Sequence, residues 1–390
     1  MTSGTCGQSW LPKRTVSPYQ AYALAFSTVL GTGVLVFPRL MAKEVGSDGL
    51  LVIPLVGVVS GIMLCVITKL GGLFPGMSIV GISREILGTG RRPWMGKILS
   101  IPFLAFFIAN WVMILVVATR TFGQVLVTAI FQRTPIVVIM LMLVAAAAYV
   151  SHSRVDVLAR FNEFLLPLIY APVLLLVASL IQAGEVEHVL PLFQTDWKQA
   201  VKGFSTALFA YTGFETALVF MGAYQQPKKA LRPHMTAMFV ITVFIYWFTY
   251  LVCLAVFGKD ELVRMAWPVL ELVKAVHIPG MVLERLESAF LSIWVIAVFT
   301  TLTNIFFAII HTLHEFLGLA DRRRKWLTLS IGGILYGLAL WPTNVYELGK
   351  WGKWAGYFWL FNALLIPSLL YIIARIRGKR GEKKGESPSV

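Results

Sequence analysis

Charged residues are scarce in this chain of 390 residues, where Asp, Glu, Lys and Arg together make up only 14%. A water-soluble domain usually carries about 25%, so the chain lacks the polar side chains that a surface facing water on all sides requires. Hydrophobic residues make up 57%, and the mean hydropathy is +0.76. These values exclude an ordinary soluble domain and predict one integral membrane domain of apolar helices.

Cysteine and acidic residues are also few. The three cysteines, Cys6, Cys65 and Cys253, have no disulfide-framework or metal-site spacing. Lys and Arg outnumber Asp and Glu by 34 to 19, but they stand in short connectors and in the tail. This distribution favours contact with anionic lipid over nucleic acid. No P-loop, nucleophile elbow or pair of catalytic carboxylates is present, so we expect no enzyme, no catalytic residue, no metal site and no cofactor.

Apolar stretches long enough to cross a bilayer recur along the chain. We predict ten spans, at residues 17–44, 50–69, 98–131, 134–150, 158–182, 200–223, 235–257, 286–314, 326–346 and 354–375. The first and the sixth are broken in the middle. Two longer connectors, 71–97 and 258–285, have room for small interfacial helices.

The distribution of Lys and Arg predicts the orientation of the chain. Connectors on the side of the N-terminus hold 22 of these residues and those on the other side hold 11, which leaves Arg120 inside the third span. By the positive-inside rule, both termini are cytoplasmic. We therefore expect a cytoplasmic segment 1–16, a single transmembrane domain 17–377 and a disordered basic tail 378–390.

Ten spans divide into two sets of five, residues 17–182 and 198–375. Because each set has an odd number of spans, the second set enters the membrane from the opposite side. Two such halves with a common fold form an inverted repeat, which is typical of secondary transporters. The halves share little residue identity, so this interpretation depends on the topology and on one shared feature.

That shared feature is a glycine-containing interruption in the first span of each half. Gly31-Thr32-Gly33 interrupts the first span, and Tyr211-Thr212-Gly213 followed by Glu215 interrupts the sixth. Glycine and threonine weaken a helix, and unwound backbone in lipid needs polar partners, which a bound ligand can supply. We predict that the ligand-binding residues are Gly31, Thr32, Gly33, Tyr211, Thr212, Gly213 and Glu215. The alternative is that these glycines only permit close helix packing.

Glu215 is the one charged residue placed well inside a predicted hydrophobic core. Intramembrane carboxylates are costly and usually functional. This one can receive an ammonium group, organise the unwound backbone or carry a proton; the alternative is a structural carboxylate with Thr, Tyr or backbone partners. Thr300 and Thr301 in the eighth span form a candidate ion site against the first break, unless their hydroxyls bond back to their own helix.

The two breaks resemble those of the amino acid–polyamine–organocation transporter superfamily, which has the LeuT-type 5+5 inverted fold. Within it, the chain is most similar to the spore germination permease family, the B-type membrane subunits of nutrient germinant receptors. The segments that carry this likeness are residues 16–20, the break at 31–38, Asn162-Glu163, Gly213-Phe214-Glu215 and Glu284-Arg285-Leu286-Glu287-Ser288 followed by Trp294.

The resemblance implies an all-α integral membrane protein of the bacterial inner membrane, either the cytoplasmic or the spore inner membrane. It implies that broken helices 1 and 6 hold a small germinant, typically an amino acid. It also implies two partners, a larger membrane receptor subunit and a lipoprotein subunit. Two functions stay open: a subunit that senses the germinant and signals to its partners, or a secondary transporter that moves an amino acid with H⁺ or a cation.

Overall fold

The chain is almost entirely helical in the computed structural model, which describes residues 11–12, 14–31, 33–88, 93–275, 286–343 and 345–379. Within these ranges the only extended pairing is an isolated parallel bridge between Val16 and Tyr224. The α-helices are α1 (Pro18–Leu30), α2 (Gly33–Val45), α3 (Gly49–Leu73), α4 (Ile79–Leu87), α5 (Pro93–Ala129), α6 (Ile136–Ser151), α7 (Val155–Tyr170), α8 (Pro172–Ala183), α9 (Trp197–Leu208), α10 (Ala217–Phe220), α11 (Leu231–Val240), α12 (Phe248–Arg264), α13 (Pro268–Ala275), α14 (Leu286–Leu317), α15 (Asp321–Leu340), α16 (Val345–Leu360) and α17 (Ile366–Ile376).

Helices occupy all ten stretches that the sequence predicts as spans. Among the described residues, six helices are long and apolar enough to cross a membrane, or seven if one bent pair counts as a single span. The count of ten therefore stays a prediction. The short helices α4 and α13 lie in the two longer connectors, where the sequence predicts small helices.

The start of α1 is defined by its capping residues. Ser17 Oγ accepts a hydrogen bond from the backbone N–H of Gln20 at 3.2 Å, and Gln20 Oε1 accepts one from the Ser17 N–H at 3.0 Å. This reciprocal capping box satisfies two N–H groups that the first helical turn leaves free. Gln20 also donates to Glu163 Oε2 on α7 at 2.8 Å, so the cap ties α1 to α7.

The two halves of the first span lie inside the helix bundle. Helix α1 packs against α7, α11 and α14, whereas α2 packs against α9 and α12. Every residue of α1 from Ala23 to its end is buried. Large apolar side chains on the outer helices are exposed, as expected of a surface that faces lipid; examples are Met142, Phe164, Leu174 and Ile181.

Helical geometry is interrupted at the two predicted places. Helix α1 ends at Leu30 and α2 begins at Gly33, and Thr32 between them lies outside the described residues. In the sixth stretch, α9 is followed by the 3₁₀ turns Phe209–Tyr211 and Phe214–Thr216 before α10 begins. The axis bends by 44° across this second break.

The segment before α1 pairs with the chain that follows the second break. The Thr15 N–H donates to Ala223 O at 2.9 Å, and the Gln225 N–H donates to Val16 O at 2.9 Å. This pairing gives the isolated bridge its backbone hydrogen bonds. The predicted terminal segments 1–16 and 378–390 otherwise lie mostly outside the described residues.

Candidate functional site

The first break is bound by a hydroxyl of α14. The backbone N–H of Gly31 donates to Thr301 Oγ1 at 3.0 Å, and that hydroxyl donates to Ser27 O at 2.5 Å. A Cβ atom on Gly31 would lie 3.0 Å from Thr301 Cγ2, which is closer than a side chain normally tolerates. Gly31 therefore permits both the break and the close approach of α14.

The second break requires glycine for two reasons. Gly213 has a φ of +110°, in the left-handed region that residues other than glycine rarely adopt. A Cβ atom there would also lie 3.0 Å from the carbonyl oxygen of Thr28 on α1. Just before it, Thr212 Oγ1 donates to Phe209 O at 2.9 Å, which satisfies one carbonyl that the ended helix leaves free.

Glu215 lies at the second break, fully buried, with four N–H donors around its carboxylate. Asn110 Nδ2 and Trp111 Nε1 on α5 donate to Oε1 at 3.2 and 3.1 Å. Trp359 Nε1 on α16 and the backbone N–H of Gly213 donate to Oε2 at 3.1 and 3.0 Å. Of the roles that the sequence leaves open, this geometry best fits a carboxylate that organises the unwound backbone and fastens it to α5 and α16.

The two breaks lie against each other. A Cβ atom on Gly33 would lie 3.5 Å from the Cα atom of Ala210. The hydroxyl of Tyr246 donates to Ala210 O at 2.6 Å and lies 3.2 Å from Val29 O, so one side chain reaches carbonyl groups beside both breaks. Tyr246 belongs to a π-helical segment, Ile241–Trp247, a type of distortion that is frequent at functional sites. Tyr211 packs on it, with 5.1 Å between ring centroids.

The two threonines of the candidate ion site behave differently. Thr300 Oγ1 donates to Ala297 O of its own helix at 2.8 Å, which is the ordinary alternative for an intramembrane threonine. Thr301 Oγ1 also lies 3.2 Å from Ala297 O, but it reaches across to Ser27 and Gly31 at the first break as well. Only Thr301 of this pair therefore contacts the break.

A buried pair of amides lies beside the first break and was not among the predicted site residues. Asn162 on α7 and Asn304 on α14 each donate to the other's Oδ1 at 2.9 Å. Asn304 Nδ2 also donates to Thr28 Oγ1 at 3.0 Å. The sequence feature that could have identified these residues is a neutral amide side chain inside an apolar span. Asn110, Asn162 and Asn304 all have this feature.

Two buried polar atoms near the breaks have no hydrogen-bond partner among the described residues. They are Ser27 Oγ, one turn before the first break, and Asn110 Oδ1, on the amide that donates to Glu215. Buried polar atoms nearly always have a partner. Each of these atoms can accept a hydrogen bond from a bound polar molecule, and the serine hydroxyl can also donate one.

The predicted site is closed to solvent in this conformation. Gly31, Tyr211, Thr212, Gly213, Glu215, Thr300 and Thr301 are all buried, and Gly33 is partly buried. A cavity of about 660 Å³ lies elsewhere, where the end of α2 and the kink of α12 at Gly258 meet the connector after α8. None of the predicted ligand-binding residues that the structure describes lines it.

The family model and the relatives found by comparison with known sequences agree on one family. The family model for spore germination proteins matches residues 15–347. Spore germination protein YndE of Bacillus subtilis (strain 168) is 26% identical over 378 residues, which cover 95% of this chain and 99% of that protein. Spore germination protein GerLB of Bacillus cereus is 26% identical over 367 residues, which cover 93% of this chain and 94% of that protein.

Two solved structures share the fold. Mhp1, a nucleobase-cation-symport-1 family transporter solved with bromovinylhydantoin bound, gives a TM-score of 0.63 at 16% identity, covering 95% of this chain and 82% of that one. MhsT in complex with L-phenylalanine gives a TM-score of 0.59 at 14% identity. The match covers 94% of this chain and 100% of that one. These likenesses confirm the predicted all-α membrane fold of the LeuT type.

Proposed function

Because this chain belongs to the spore germination protein family, we propose that it is an amino-acid-permease-like subunit of a nutrient germinant receptor. In this proposal it binds a small germinant, such as an amino acid, between the broken centres of its first and sixth spans. Binding changes the arrangement of the two breaks, and partner subunits detect that change. The partners are a larger membrane receptor subunit and a lipoprotein subunit.

The observation that carries the proposal is the contact between the two breaks. Gly33 approaches Ala210, and Gly213 approaches Thr28, so interrupted backbone from both halves of the chain meets in one place. The C-terminal end of α1 carries partial negative charge and the N-terminal end of α2 carries partial positive charge. A zwitterion such as an amino acid matches both ends, since its ammonium group suits the first and its carboxylate suits the second.

The unpartnered atoms support a polar ligand at the same place. Ser27 Oγ and Asn110 Oδ1 are buried beside the first and second breaks respectively, and both lack a partner among the described residues. An ammonium group has three N–H donors and no acceptor. It therefore suits these oxygens better than an anion does. MhsT was solved with L-phenylalanine, so this fold accommodates an amino acid of that size.

The contacts of Thr301 favour sensing over ion-coupled transport. Its hydroxyl accepts from the Gly31 N–H and donates to Ser27 O, a carbonyl oxygen that a coupling cation at the first break would need. Thr300 is turned to its own helix. Amino acid transport coupled to H⁺ or a cation is the second candidate, because the fold is shared with solved transporters.

A paired binding and uptake experiment separates these functions. The purified chain, alone and with its partner subunits, is placed in lipid nanodiscs for equilibrium binding of a mixture of ¹⁴C-labelled standard L-amino acids. The same protein is placed in proteoliposomes for uptake of that mixture under imposed proton and sodium gradients. We expect saturable binding without concentrative uptake. Concentrative uptake would favour the transporter, and no binding in either preparation would overturn the amino acid proposal.

Glycine variants test the location of the ligand. Gly31→Leu and Gly213→Leu are expected to abolish binding while the protein still inserts into the membrane. Gly333→Leu is the matched control, because Gly333 is exposed on α15 and a Cβ atom there would have no neighbouring atom within 4 Å. Normal binding by both break variants would overturn the proposed site. If either break variant fails to insert, Ser27→Ala, which removes only an unpartnered hydroxyl, provides the test.

A further inference from the structure

A second cavity, of about 380 Å³, lies between the end of α3, the connector before α11 and the end of α17. Its lining residues are Thr68, Lys69, Gly72, Leu73, Lys228, Leu231, Tyr371 and Arg375. None of the described residues of the two breaks lines it. It is therefore separate from the proposed germinant site and does not depend on it.

The charged residues known to line the cavity are all basic. Lys69, Lys228 and Arg375 line it, and no Asp or Glu of the described part of the chain does. Among the described residues, none of these three cations forms an ion pair within 4.0 Å. The guanidinium of Arg375 is held on Tyr371, with Nε and Nη2 at 3.2 and 3.0 Å from its hydroxyl. Three basic groups that converge without a carboxylate favour a phosphate.

The wall of the cavity is fixed by a buried network. Thr68 Oγ1 donates to Leu64 O at 2.7 Å and lies 2.8 Å from Nδ1 of His234 on α11. Because the hydroxyl has only one proton, Nδ1 is the donor to Thr68. His234 Nε2 then accepts from the Tyr224 hydroxyl at 3.1 Å. This chain of contacts joins α3 to α11, so the basic groups stand on a wall that is already assembled.

Apolar surface runs from the cavity along both of its long helices. Ile62, two helical turns before Lys69 on α3, is 58% exposed, and Ile372, one turn before Arg375 on α17, is 52% exposed. Residues three or seven positions apart on an α-helix lie on the same face, so Ile62 shares a face with Lys69 and Ile372 shares a face with Arg375. A free anion makes no use of this surface, whereas an acyl chain attached to a phosphate does.

We propose that this cavity binds the headgroup of an anionic phospholipid, with its phosphate among Lys69, Lys228 and Arg375 and its acyl chains along Ile62 and Ile372. Basic pockets between membrane helices have this role in other membrane proteins. The cavity lies at the end of the bundle that the distribution of Lys and Arg predicts to be cytoplasmic. The bound lipid would bridge α3, α11 and α17.

The test compares lipids that differ only in the headgroup. Purified protein in detergent is titrated with dioleoyl phosphatidylglycerol, with dioleoyl phosphatidylcholine or with inorganic phosphate, and bound adducts are counted by native mass spectrometry. The variant Lys69→Gln/Lys228→Gln/Arg375→Gln removes the three basic groups. The control Lys229→Gln/Arg232→Gln/Arg322→Gln removes equal charge from exposed residues at the same end that do not line the cavity.

We expect wild type and control to bind phosphatidylglycerol more tightly than phosphatidylcholine. The cavity variant should bind phosphatidylglycerol roughly 100-fold more weakly than wild type, given the contribution of each basic residue near a membrane surface. Its thermal unfolding without added lipid should match that of the control. Equal phosphatidylglycerol binding by both variants would overturn the proposal. Equally strong binding of inorganic phosphate would assign the cavity to a free anion and overturn the lipid.

Discussion

Thr301 Oγ1 accepts a hydrogen bond from the backbone N–H of Gly31 at 3.0 Å, so one hydroxyl of α14 binds the first helix break. Thr301→Val keeps the shape of the side chain but leaves that N–H and Ser27 O without this partner. We expect a loss of about 1–3 kcal/mol in the free energy of unfolding, measured by chemical unfolding in detergent. Thr301→Ser keeps the hydroxyl and serves as control. Equal stability of the two variants would contradict this role.

The four N–H donors around Glu215 predict a structural effect of replacing it. In Glu215→Gln, an NH₂ group takes the place of one carboxylate oxygen and faces donors instead of acceptors. We expect a loss of about 3 kcal/mol in the free energy of unfolding. Glu163→Gln is the control, because Glu163 accepts one side-chain hydrogen bond from the described residues, that of Gln20, and an amide oxygen can accept it equally.

The same variant distinguishes the roles of Glu215. If the carboxylate bound a ligand ammonium instead of the break, Glu215→Gln would unfold like wild type and lose only ligand binding. Unfolding and ¹⁴C-amino acid binding are therefore measured on the same preparation. A stable protein that no longer binds would contradict the organising role.

The reciprocal amide pair predicts measurable coupling between α7 and α14. A double-mutant cycle of Asn162→Ala and Asn304→Ala should give an interaction energy of about 0.6–1.7 kcal/mol, the range typical of side-chain hydrogen bonds between membrane helices. A cycle of Asn162→Ala with Asn362→Ala is the control, since Asn362 donates to Phe106 O and Phe358 O instead. Coupling near zero in the first cycle would show that the amides act independently.

The predicted orientation can be tested with a cysteine-labelling experiment. In a background where the three native cysteines are replaced, Arg322→Cys is predicted to lie on the cytoplasmic side and Arg133→Cys on the outer side. Both positions are exposed, Arg133 in the connector between α5 and α6 and Arg322 in the first turn of α15. A membrane-impermeant maleimide should label Arg133→Cys in intact cells and Arg322→Cys only after permeabilisation. The reverse pattern would invert the topology.

The positions of the breaks were predictable because glycine and threonine weaken a helix locally, whatever surrounds them. The close contacts that require glycine at positions 31 and 213 were not predictable from the sequence. They depend on Thr301 and Thr28, which only tertiary packing brings near these glycines. Adjacent residues on a helix point about 100° apart. This is why Thr301 reaches the first break while its neighbour Thr300 does not.

The environment of Glu215 shows a further limit of sequence reasoning. Its burial was predictable from its place in an apolar stretch. Its partners Asn110 and Trp359 lie 105 and 144 residues away along the chain, so no local pattern identifies them. Tyr246 was missed for a related reason, because an aromatic residue in an apolar span usually packs and only the fold shows its hydroxyl between two freed carbonyls.

The short pairing of Val16 with Tyr224 has a mechanical consequence. The first broken helix begins two residues after Val16, and the C-terminal half of the second broken helix ends next to Tyr224. The two interrupted helices are therefore joined at one end as well as touching at their centres. We therefore expect a tilt of either paired half to pull on the other, so that the two move together.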